Sequence, residues 1–380
     1  MDNTDCIECP GSAVHLDTWQ AQWTPSLINN QLNSLLHLPH LCIWNSKKSK
    51  LEAIKLSVTY TPFWWGVTGV ADLVQEKIVV AFKERIAVVT GGNKGIGFEI
   101  CKQLASSSDD VLVVLTARDE QKGLQAHHIL KTSGLSENAV VFRQLDVTDP
   151  ASITSFAEFI GTQFGKLDIL VNNAGITGIV VDEESVTSLN PQPSEVGLKT
   201  YMTKQVMLQT YETAKDCIQT NYYGTKHVTE ALLPFLSLSS SPRIVNISSG
   251  VGKLENIKDK RSSQMLSDVT RLTEEVVEEV VTGFLCDVKD GSLEEKGWNA
   301  QLSAYIVSKA VINAYTRILA NKYLSFRINA VNPGFTKTDM TRHKGTYTVE
   351  EGARGPVWLA LMPDEGPSGR FFFQMEETKF

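Results

Sequence analysis

The first 84 residues contain no arginine, although the whole chain of 380 residues carries 36 lysines and arginines. The first arginine is Arg85, and five of the seven tryptophans lie before it. This change in composition divides the chain into an N-terminal extension, residues 1–84, and a larger part, residues 85–380. Transit peptides are rich in arginine, so none is predicted. A secretory signal is not expected either, because acidic residues stand where its basic segment would lie.

Long apolar runs are also missing. Residues 27–44 are interrupted by asparagine, histidine and proline, and residues 63–80 contain Asp72, Glu76 and Lys77. A helix that crosses a bilayer needs about 20 mostly apolar residues. No membrane-spanning segment is therefore predicted.

Cysteine and net charge are both modest. The six cysteines are scattered over a long chain, which indicates reduced thiols and a cytoplasmic protein rather than a disulfide framework. The net charge of -7 argues against a nucleic-acid or anionic-membrane partner, since both require clustered basic residues. Cys6 and Cys9, with His37, His40 and Cys42, match no zinc-ligand spacing, so no metal is predicted.

The N-terminal extension leaves two interpretations open. One is a weakly structured segment that is not part of the working protein. The other is a separate binding role for its tryptophan-rich surface, in which case deletion would remove a partner but leave activity.

From Arg85 onward, short β-branched runs alternate with stretches of helical period such as 96–106, 151–164 and 303–323. This alternation predicts an α/β fold with one doubly wound parallel sheet. Such sheets bind ligands beyond the carboxyl ends of their strands. The predicted strands are 85–90, 111–116, 139–145, 167–172, 243–248, 326–331 and 370–373.

A glycine-rich turn joins the first of these strands to a helix. Glycines at such a turn let the backbone approach a pyrophosphate, which the free N–H groups of the helix N-terminus then bind. The strand before it and the helix after it make this a dinucleotide-binding signal. The residues predicted to bind the cofactor here are Gly91, Asn93, Lys94, Gly95, Ile96 and Gly97.

The residue after the second strand indicates which dinucleotide is bound. An enzyme that uses NAD places an acidic residue there for the ribose hydroxyl, whereas this chain has Arg118. Arg118 can pair with a 2′-phosphate, and Lys94 can add a second cation, so the predicted cofactor is NADP(H). The alternative is that Arg118 forms a surface salt bridge with Asp119 or Glu120.

Four motifs in this order resemble the short-chain dehydrogenase/reductase family. They are Thr90-Gly-x-x-x-Gly-x-Gly97, Asn172-Asn-Ala-Gly175, Tyr305-x-x-x-Lys309 and Asn332-Pro-Gly334. The resemblance covers residues 85–380 and implies a single Rossmann-type domain of about seven parallel strands.

Tyr305 and Lys309 stand four residues apart on a predicted helix, so their side chains share one face. Ketone reduction needs a proton for the developing alkoxide, and an ammonium beside a phenol stabilises its phenolate. In the family the Tyr donates this proton and the Lys also holds the cofactor ribose. The resemblance implies that Ser249 binds the substrate carbonyl, with Ser248 left as the alternative, and that Asn221 holds a water that links Lys309 to solvent.

The same resemblance implies further cofactor contacts, which follow the third, fourth and sixth strands of the predicted sheet. The alternative for all of them is ordinary turn chemistry, because loops use these residue types anyway. These residues are Asp146, Val147, Asn173, Ala174, Gly175, Pro333, Gly334 and Thr336, in addition to Tyr305 and Lys309.

An insertion separates Ser249 from Tyr305 by 56 residues, where most family members have a short loop. We place it at about 251–302, and its residues 255–296 hold eleven acidic and six basic residues. Leu272, Val276, Val280 and Phe284 recur at every fourth position, which predicts an amphipathic helix. Thr273 is the expected N-cap, and Gly283 the expected end of the helix.

The insertion resembles the carbonyl-reductase subgroup, and within it the plant branch of salutaridine reductase and menthone/neomenthol reductase. The resemblance implies a monomer, because the inserted helix covers the face used for dimerisation elsewhere. It also implies a bulky apolar ketone or alcohol, terpenoid or alkaloid in type, as the substrate. One member of the branch reduces a C=C bond and has an acidic residue at the Tyr position, so Tyr305 favours C=O reduction. The alternative function is a catalytically silent NADP(H)-binding scaffold or sensor.

Overall fold

The computed structural model describes residues 41–45, 50–54, 85–107, 110–136, 139–181, 207–299 and 302–380. Within the N-terminal extension these are two strands, Leu41–Asn45 (β1) and Lys50–Ile54 (β2), which pair antiparallel with each other. The two interpretations of residues 1–84 otherwise concern residues outside this description and stay predictions.

The larger part contains one eight-stranded sheet, with strand order β12-β11-β10-β9-β6-β3-β4-β5. Seven of these strands run parallel, as predicted, and β12 pairs antiparallel with β11 at one edge. This eighth strand was not predicted from the sequence. In chain order the strands are β3 (Arg85–Val89), β4 (Val111–Ala117), β5 (Val140–Gln144), β6 (Ile169–Asn172), β7 (Val180–Val181), β8 (Met207–Leu208), β9 (Arg243–Ile247), β10 (Arg327–Asn332), β11 (Phe371–Phe373) and β12 (Glu376–Thr378). The short strands β7 and β8 pair with each other outside the main sheet.

Helices cover both faces of the sheet. They are α1 (Gly95–Ser107), α2 (Glu120–Thr132), α3 (Pro150–Gln163), α4 (Tyr211–Ile218), α5 (Gly224–Leu236), α6 (Lys260–Ser267), α7 (Glu274–Lys289), α8 (Ser303–Lys322) and α9 (Val349–Leu361). Helices α1, α2 and α9 pack on one face, and α3, α4, α5, α7 and α8 supply the core of the other. The structure confirms the predicted doubly wound α/β fold.

The central strands are buried on both faces. Ile86 and Val88 of β3 enter one core, whereas Ala87 and Val89 enter the other, because successive side chains of a strand point to opposite sides. Every residue of β4 is buried. This burial explains the continuous apolar runs in the sequence.

The insertion contains α6 and α7. Thr273 is the N-cap of α7, as predicted, and its hydroxyl accepts a hydrogen bond from the Val276 N–H at 3.4 Å. The prediction that Gly283 ends this helix is wrong, because α7 continues to Lys289. The buried face also differs from the predicted line of every fourth residue: it includes Val277 and Val281 beside Val280 and Phe284. At 3.6 residues per turn a line of every fourth residue drifts around the helix, so one fixed face needs spacings of three as well as four.

Candidate active site

The glycine-rich turn lies between the carboxyl end of β3 and the N-terminus of α1. Gly91 and Gly95 have φ angles of 64° and 57°, which side-chain-bearing residues rarely adopt. A Cβ on Gly97 would lie 2.3 Å from Asn173 Nδ2 and 2.4 Å from the Gly91 carbonyl oxygen. The turn thus presents bare backbone and the free N–H groups of a helix, which fits a dinucleotide pyrophosphate. Asn93, Lys94 and Ile96 lie within this turn and at the start of α1.

The end of β6 is tied to this turn. The Thr90 hydroxyl oxygen accepts hydrogen bonds from the backbone N–H groups of Asn173 and Ala174 at 2.9 and 3.0 Å. The Asn173 side-chain amide donates to the carbonyl oxygens of Thr90 and Gly91. These bonds join the two predicted cofactor segments into one surface at the carboxyl edge of the sheet.

Arg118 lies directly after β4 with its side chain exposed. Within the described part of the chain, its guanidinium forms no salt bridge with Asp119 or Glu120. Asp119 instead caps α2, accepting from the Lys122 N–H at 3.0 Å, and pairs with the Lys122 ammonium at 3.7 Å. The alternative of a surface salt bridge is thus not seen among the described residues, and a role of Arg118 in cofactor binding stays a prediction.

Lys94 forms an exposed salt bridge of 2.8 Å with Asp339, which lies in a short 3₁₀ turn, Asp339–Thr341. The adjacent Met340 reaches the Tyr305 hydroxyl, with 3.9 Å between Sδ and the phenol oxygen. One loop therefore touches both the glycine-rich turn and Tyr305. Neither Asp339 nor Met340 belongs to a sequence motif that marks it as a site residue.

Tyr305 lies in the first turn of α8, and Lys309 follows one turn later. The Lys309 ammonium lies 5.5 Å from the centroid of the Tyr305 ring and donates to the Ile247 carbonyl oxygen at 2.8 Å. Lys309 is only 4% exposed, and burial lowers its pKa to about 8. Burial raises the pKa of Tyr305 above its ordinary value, while the nearby Ser249 side chain acts in the opposite direction. The phenol is thus held neutral beside a cation, the state that proton donation requires.

Ser248 and Ser249 take different environments at the end of β9. Ser248 is buried, and its hydroxyl donates to the Lys309 carbonyl oxygen at 3.3 Å. Ser249 is half-buried; its hydroxyl oxygen accepts from the Val251 N–H at 3.4 Å, and its side chain lies near the Tyr305 phenol. Ser249 is thus the more exposed of the two residues, and its contact with a substrate stays a prediction.

Asn221 lies in a π-helical turn, Gln219–Tyr223, between α4 and α5. Its side chain is fully buried and bonds the Ile176 backbone twice, donating to the carbonyl oxygen at 2.9 Å and accepting from the N–H at 2.8 Å. It also donates to the Ser308 hydroxyl at 2.9 Å, and the Ser308 hydroxyl donates to the Tyr305 carbonyl oxygen. A Cβ on Gly175 would lie 3.1 Å from Asn221 Oδ1 and 3.6 Å from Lys309 Nζ, so all three residues meet at one point.

The other predicted cofactor residues also lie at this edge. The Asp146 carboxylate accepts from the backbone N–H and hydroxyl of Thr148, and Val147 is buried against Gly224. Gly334 has a φ of 85°. Thr336 is buried, and its hydroxyl donates to the carbonyl oxygens of Pro333 and Gly334, so its side chain faces its own turn.

Gln209 is the residue that sequence reasoning missed most clearly. Its side chain bonds Ser303 and Ala304 at the start of α8, 94 and 95 positions further along the chain. No local pattern marks such a long-range contact. Among the described residues there is also no cluster of side chains suited to a metal ion, and no helix with the length and apolar character to cross a membrane.

A parallel sheet with a glycine-rich turn, and a Ser, Tyr and Lys at its carboxyl edge, defines a nicotinamide-dependent oxidoreductase. Residues 85–260 match the family described as short chain dehydrogenase. The chain belongs to the short-chain dehydrogenase/reductase family, as its four motifs predicted.

Proteins that are similar to this chain specify the branch. The chain is 51% identical to (+)-neomenthol dehydrogenase of Arabidopsis thaliana over 298 residues, which cover 78% of this chain and 98% of the relative. It is 39% identical to carbonyl reductase (NADPH) 3 of Mus musculus over 290 residues, covering 74% of this chain and 92% of the relative. The solved structure of salutaridine reductase from Papaver somniferum superposes with a TM-score of 0.70 and 49% identity, covering 76% of this chain and 99% of that one. These findings confirm the predicted subgroup and branch.

Proposed function

We propose that the protein is an NADPH-dependent reductase of bulky apolar ketones of the terpenoid or alkaloid type. The observation that carries this proposal is the placement of the Tyr305 ring, whose centroid lies 5.5 Å from the Lys309 ammonium, near Ser249 and beside a turn shaped for a dinucleotide. Support for the substrate class comes from the relatives, which are named for neomenthol and salutaridine.

The residues divide the work as follows. A bound nicotinamide cofactor supplies the hydride. Tyr305 donates its phenol proton to the carbonyl oxygen, and the Ser249 hydroxyl donates a hydrogen bond to the same oxygen, which stabilises its developing charge. The Lys309 ammonium stabilises the phenolate that remains. In the protonated state, which dominates below its pKa of about 8, Lys309 also has donors to hold the cofactor ribose.

The cofactor would be held by the glycine-rich turn at its pyrophosphate and by Arg118 and Lys94 at its 2′-phosphate. Lys94 can turn to a phosphate only by leaving its exposed salt bridge with Asp339, which costs little, because such pairs contribute about 0–1 kcal/mol. The turn that carries Asn221 would hold the water through which Lys309 exchanges protons with solvent. NADP(H) is further supported by the relative that is named for NADPH.

We also propose a monomer in a reducing compartment, the cytoplasm. The inserted helix α7 buries its apolar side against α4 and α8, and its Glu278 accepts a hydrogen bond from the Tyr223 hydroxyl at 2.7 Å. The face that this helix covers is then closed to a partner subunit. Cys101, Cys217 and Cys286 are free thiols.

The test is a screen of the purified full chain with NADPH against a panel of terpenoid and alkaloid ketones, following cofactor oxidation and the alcohol product. We expect turnover of at least one bulky ketone, and faster turnover with NADPH than with NADH. Cofactor binding without turnover of any ketone would contradict the proposal and favour a silent NADP(H)-binding protein. Sedimentation of the same sample tests for the monomer.

A further inference from the structure

Helix α8 begins without a polar residue of its own at the N-cap. That position is Leu302, which forms no side-chain hydrogen bond to the helix. The first turn of a helix leaves N–H groups without intrahelical partners, and an uncapped start frays. Fraying of this helix start would displace Tyr305, because Tyr305 lies in the first turn.

Gln209 supplies the missing cap from a distant part of the chain. Its side-chain oxygen accepts from the Ala304 N–H at 2.9 Å, and its side-chain nitrogen donates to the Ser303 hydroxyl at 2.8 Å. Two bonds from one planar amide fix both the position and the rotation of the helix start. Gln209 is half-buried, so these bonds are partly shielded from water.

The neighbouring residues hold Gln209 itself in place. Thr210, the next residue, is the N-cap of α4, and it exchanges hydrogen bonds with Thr213 in a capping box. Helix α4 then runs into the turn that carries Asn221. Gln209 therefore lies at the junction between the element that leads to Asn221 and the element that carries Tyr305.

We infer that Gln209 is a positioning residue for Tyr305. It fixes the first turn of α8 so that the phenol stays beside Ser249 and Lys309, and it does so without touching the substrate or the cofactor. The inference rests on the proposed reductase function, because kcat is its main readout. A displacement of about 1 Å in a reacting group costs up to about a hundredfold in rate, so a small shift of the helix start is measurable.

Two substitutions separate positioning from general stability. Gln209→Leu keeps the approximate size but removes both hydrogen bonds, and we expect kcat to fall about ten- to a hundredfold while the Kd for NADPH stays nearly unchanged. Gln209→Glu keeps two oxygens that accept from the Ala304 N–H and the Ser303 hydroxyl, so kcat should be largely restored. Its negative charge, placed against Ala304, the residue before Tyr305, raises the phenol pKa and moves the pH profile of kcat to higher pH.

The matched control is Thr348→Ala, which removes the N-cap bond of α9 to the Glu351 N–H and leaves α8 untouched. It should lower Tm without changing the pH profile. The inference is overturned if Gln209→Leu lowers Tm but retains the kcat of the unmodified protein. It is equally overturned if the pH profile of Gln209→Glu coincides with that of the unmodified protein.

A readout that does not depend on turnover separates this inference from the proposed function. If the unmodified protein reduces no ketone, the proposed function fails, and the positioning role is decided by NMR of isotope-labelled tyrosine rings. The signal that disappears in Tyr305→Phe identifies Tyr305. We expect it to shift in Gln209→Leu and to stay in place in Thr348→Ala, whereas an unmoved signal in Gln209→Leu contradicts the inference.

Discussion

The central sheet buries charged side chains both at the amino ends of its strands (the amino edge) and at their carboxyl ends (the carboxyl edge). The two charges differ in their partners. At the amino edge, Arg243 is 2% exposed, pairs with Asp364 at 2.7 Å and donates twice to the Met362 carbonyl oxygen. At the carboxyl edge, Lys309 is 4% exposed and donates to one carbonyl oxygen. Within the described part of the chain, no carboxylate pairs with Lys309.

This difference indicates what each edge does. A buried charge that is fully paired holds elements together, as Arg243 does for β9 and the segment after α9. A buried cation without a counter-ion costs folding free energy, and such groups are retained where chemistry needs them. This difference agrees with the proposal that the carboxyl edge is the reactive one, and the comparison predicts opposite effects for the removal of each charge.

The largest effect is expected at the carboxyl edge. Lys309→Met removes the cation that stabilises the phenolate, so kcat should fall at least about a hundredfold. The same change should raise Tm at neutral pH, because the lowered pKa of about 8 corresponds to roughly 3 kcal/mol of burial cost that the variant no longer has.

The pH dependence of this difference follows from the direction of the shift. Lys309 has a lower pKa in the folded than in the unfolded chain, so the cost is complete below about pH 8 and disappears as pH rises toward the unfolded value of about 10.4. Thermal denaturation at several pH values checks this. If Lys309→Met is less stable than the unmodified protein at neutral pH, the buried charge of Lys309 does not carry the expected folding cost.

Arg243→Met, at the amino edge, should lower the stability of the protein and leave its activity unchanged. It removes the bonds to Asp364 and to the Met362 carbonyl oxygen, and we expect a loss of roughly 3 kcal/mol in the free energy of unfolding. Turnover per folded molecule should stay the same, since Arg243 begins β9 and the reactive groups follow its other end. Urea denaturation measures the free energy of unfolding. Turnover is measured separately, well below the unfolding transition.

Arg118→Ser probes the cofactor side of the reactive edge. Loss of a charge-assisted contact to a 2′-phosphate should weaken NADPH binding by about 1.5–3 kcal/mol and leave NADH binding nearly unchanged. Lys131→Ser, an exposed cation in the last turn of α2, is the control. If Arg118→Ser weakens the binding of NADPH and of NADH equally, Arg118 does not contact the 2′-phosphate.

The smallest effect concerns the insertion. Thr273→Ala removes the N-cap of α7 and should destabilise the protein by about 0.5–1 kcal/mol, because its bond to the Val276 N–H is long. Thr282→Ala, at an exposed position inside the same helix, should be neutral or slightly stabilising. Thermal melts of the two variants measure the difference.

The sequence predicts features that depend on local pattern. Short β-branched runs locate the seven parallel strands, and Thr273 before two glutamates locates the start of α7. The predicted helix end at Gly283 was wrong because local propensity favours a helix end at glycine, whereas packing against α8 stabilises α7 beyond this residue. Strand β12 was missed because it has only three residues, two of them acidic, and exists through pairing with β11.

The site divides in the same way. The four family motifs predict which groups react, but the difference between Ser248 and Ser249 depends on tertiary contacts: the Ser248 hydroxyl donates to the Lys309 carbonyl oxygen, and Ser249 lies near Tyr305. The contact of Gln209 with α8 depends on a fold that brings together residues 94 positions apart. Tertiary packing determines both the serine environments and the Gln209 contact. Because the partners lie far apart in the chain, no local sequence pattern predicts them.

The most direct test of the reactive edge is Tyr305→Phe, compared with Tyr323→Phe at the far end of the same helix. On a ketone that the unmodified protein reduces, we expect kcat of Tyr305→Phe to fall by about 10²–10⁴ with NADPH binding nearly unchanged. Tyr323→Phe should retain full activity. If Tyr305→Phe reduces the ketone at the unmodified rate, Tyr305 is not the proton donor and the assignment of the reactive edge is wrong.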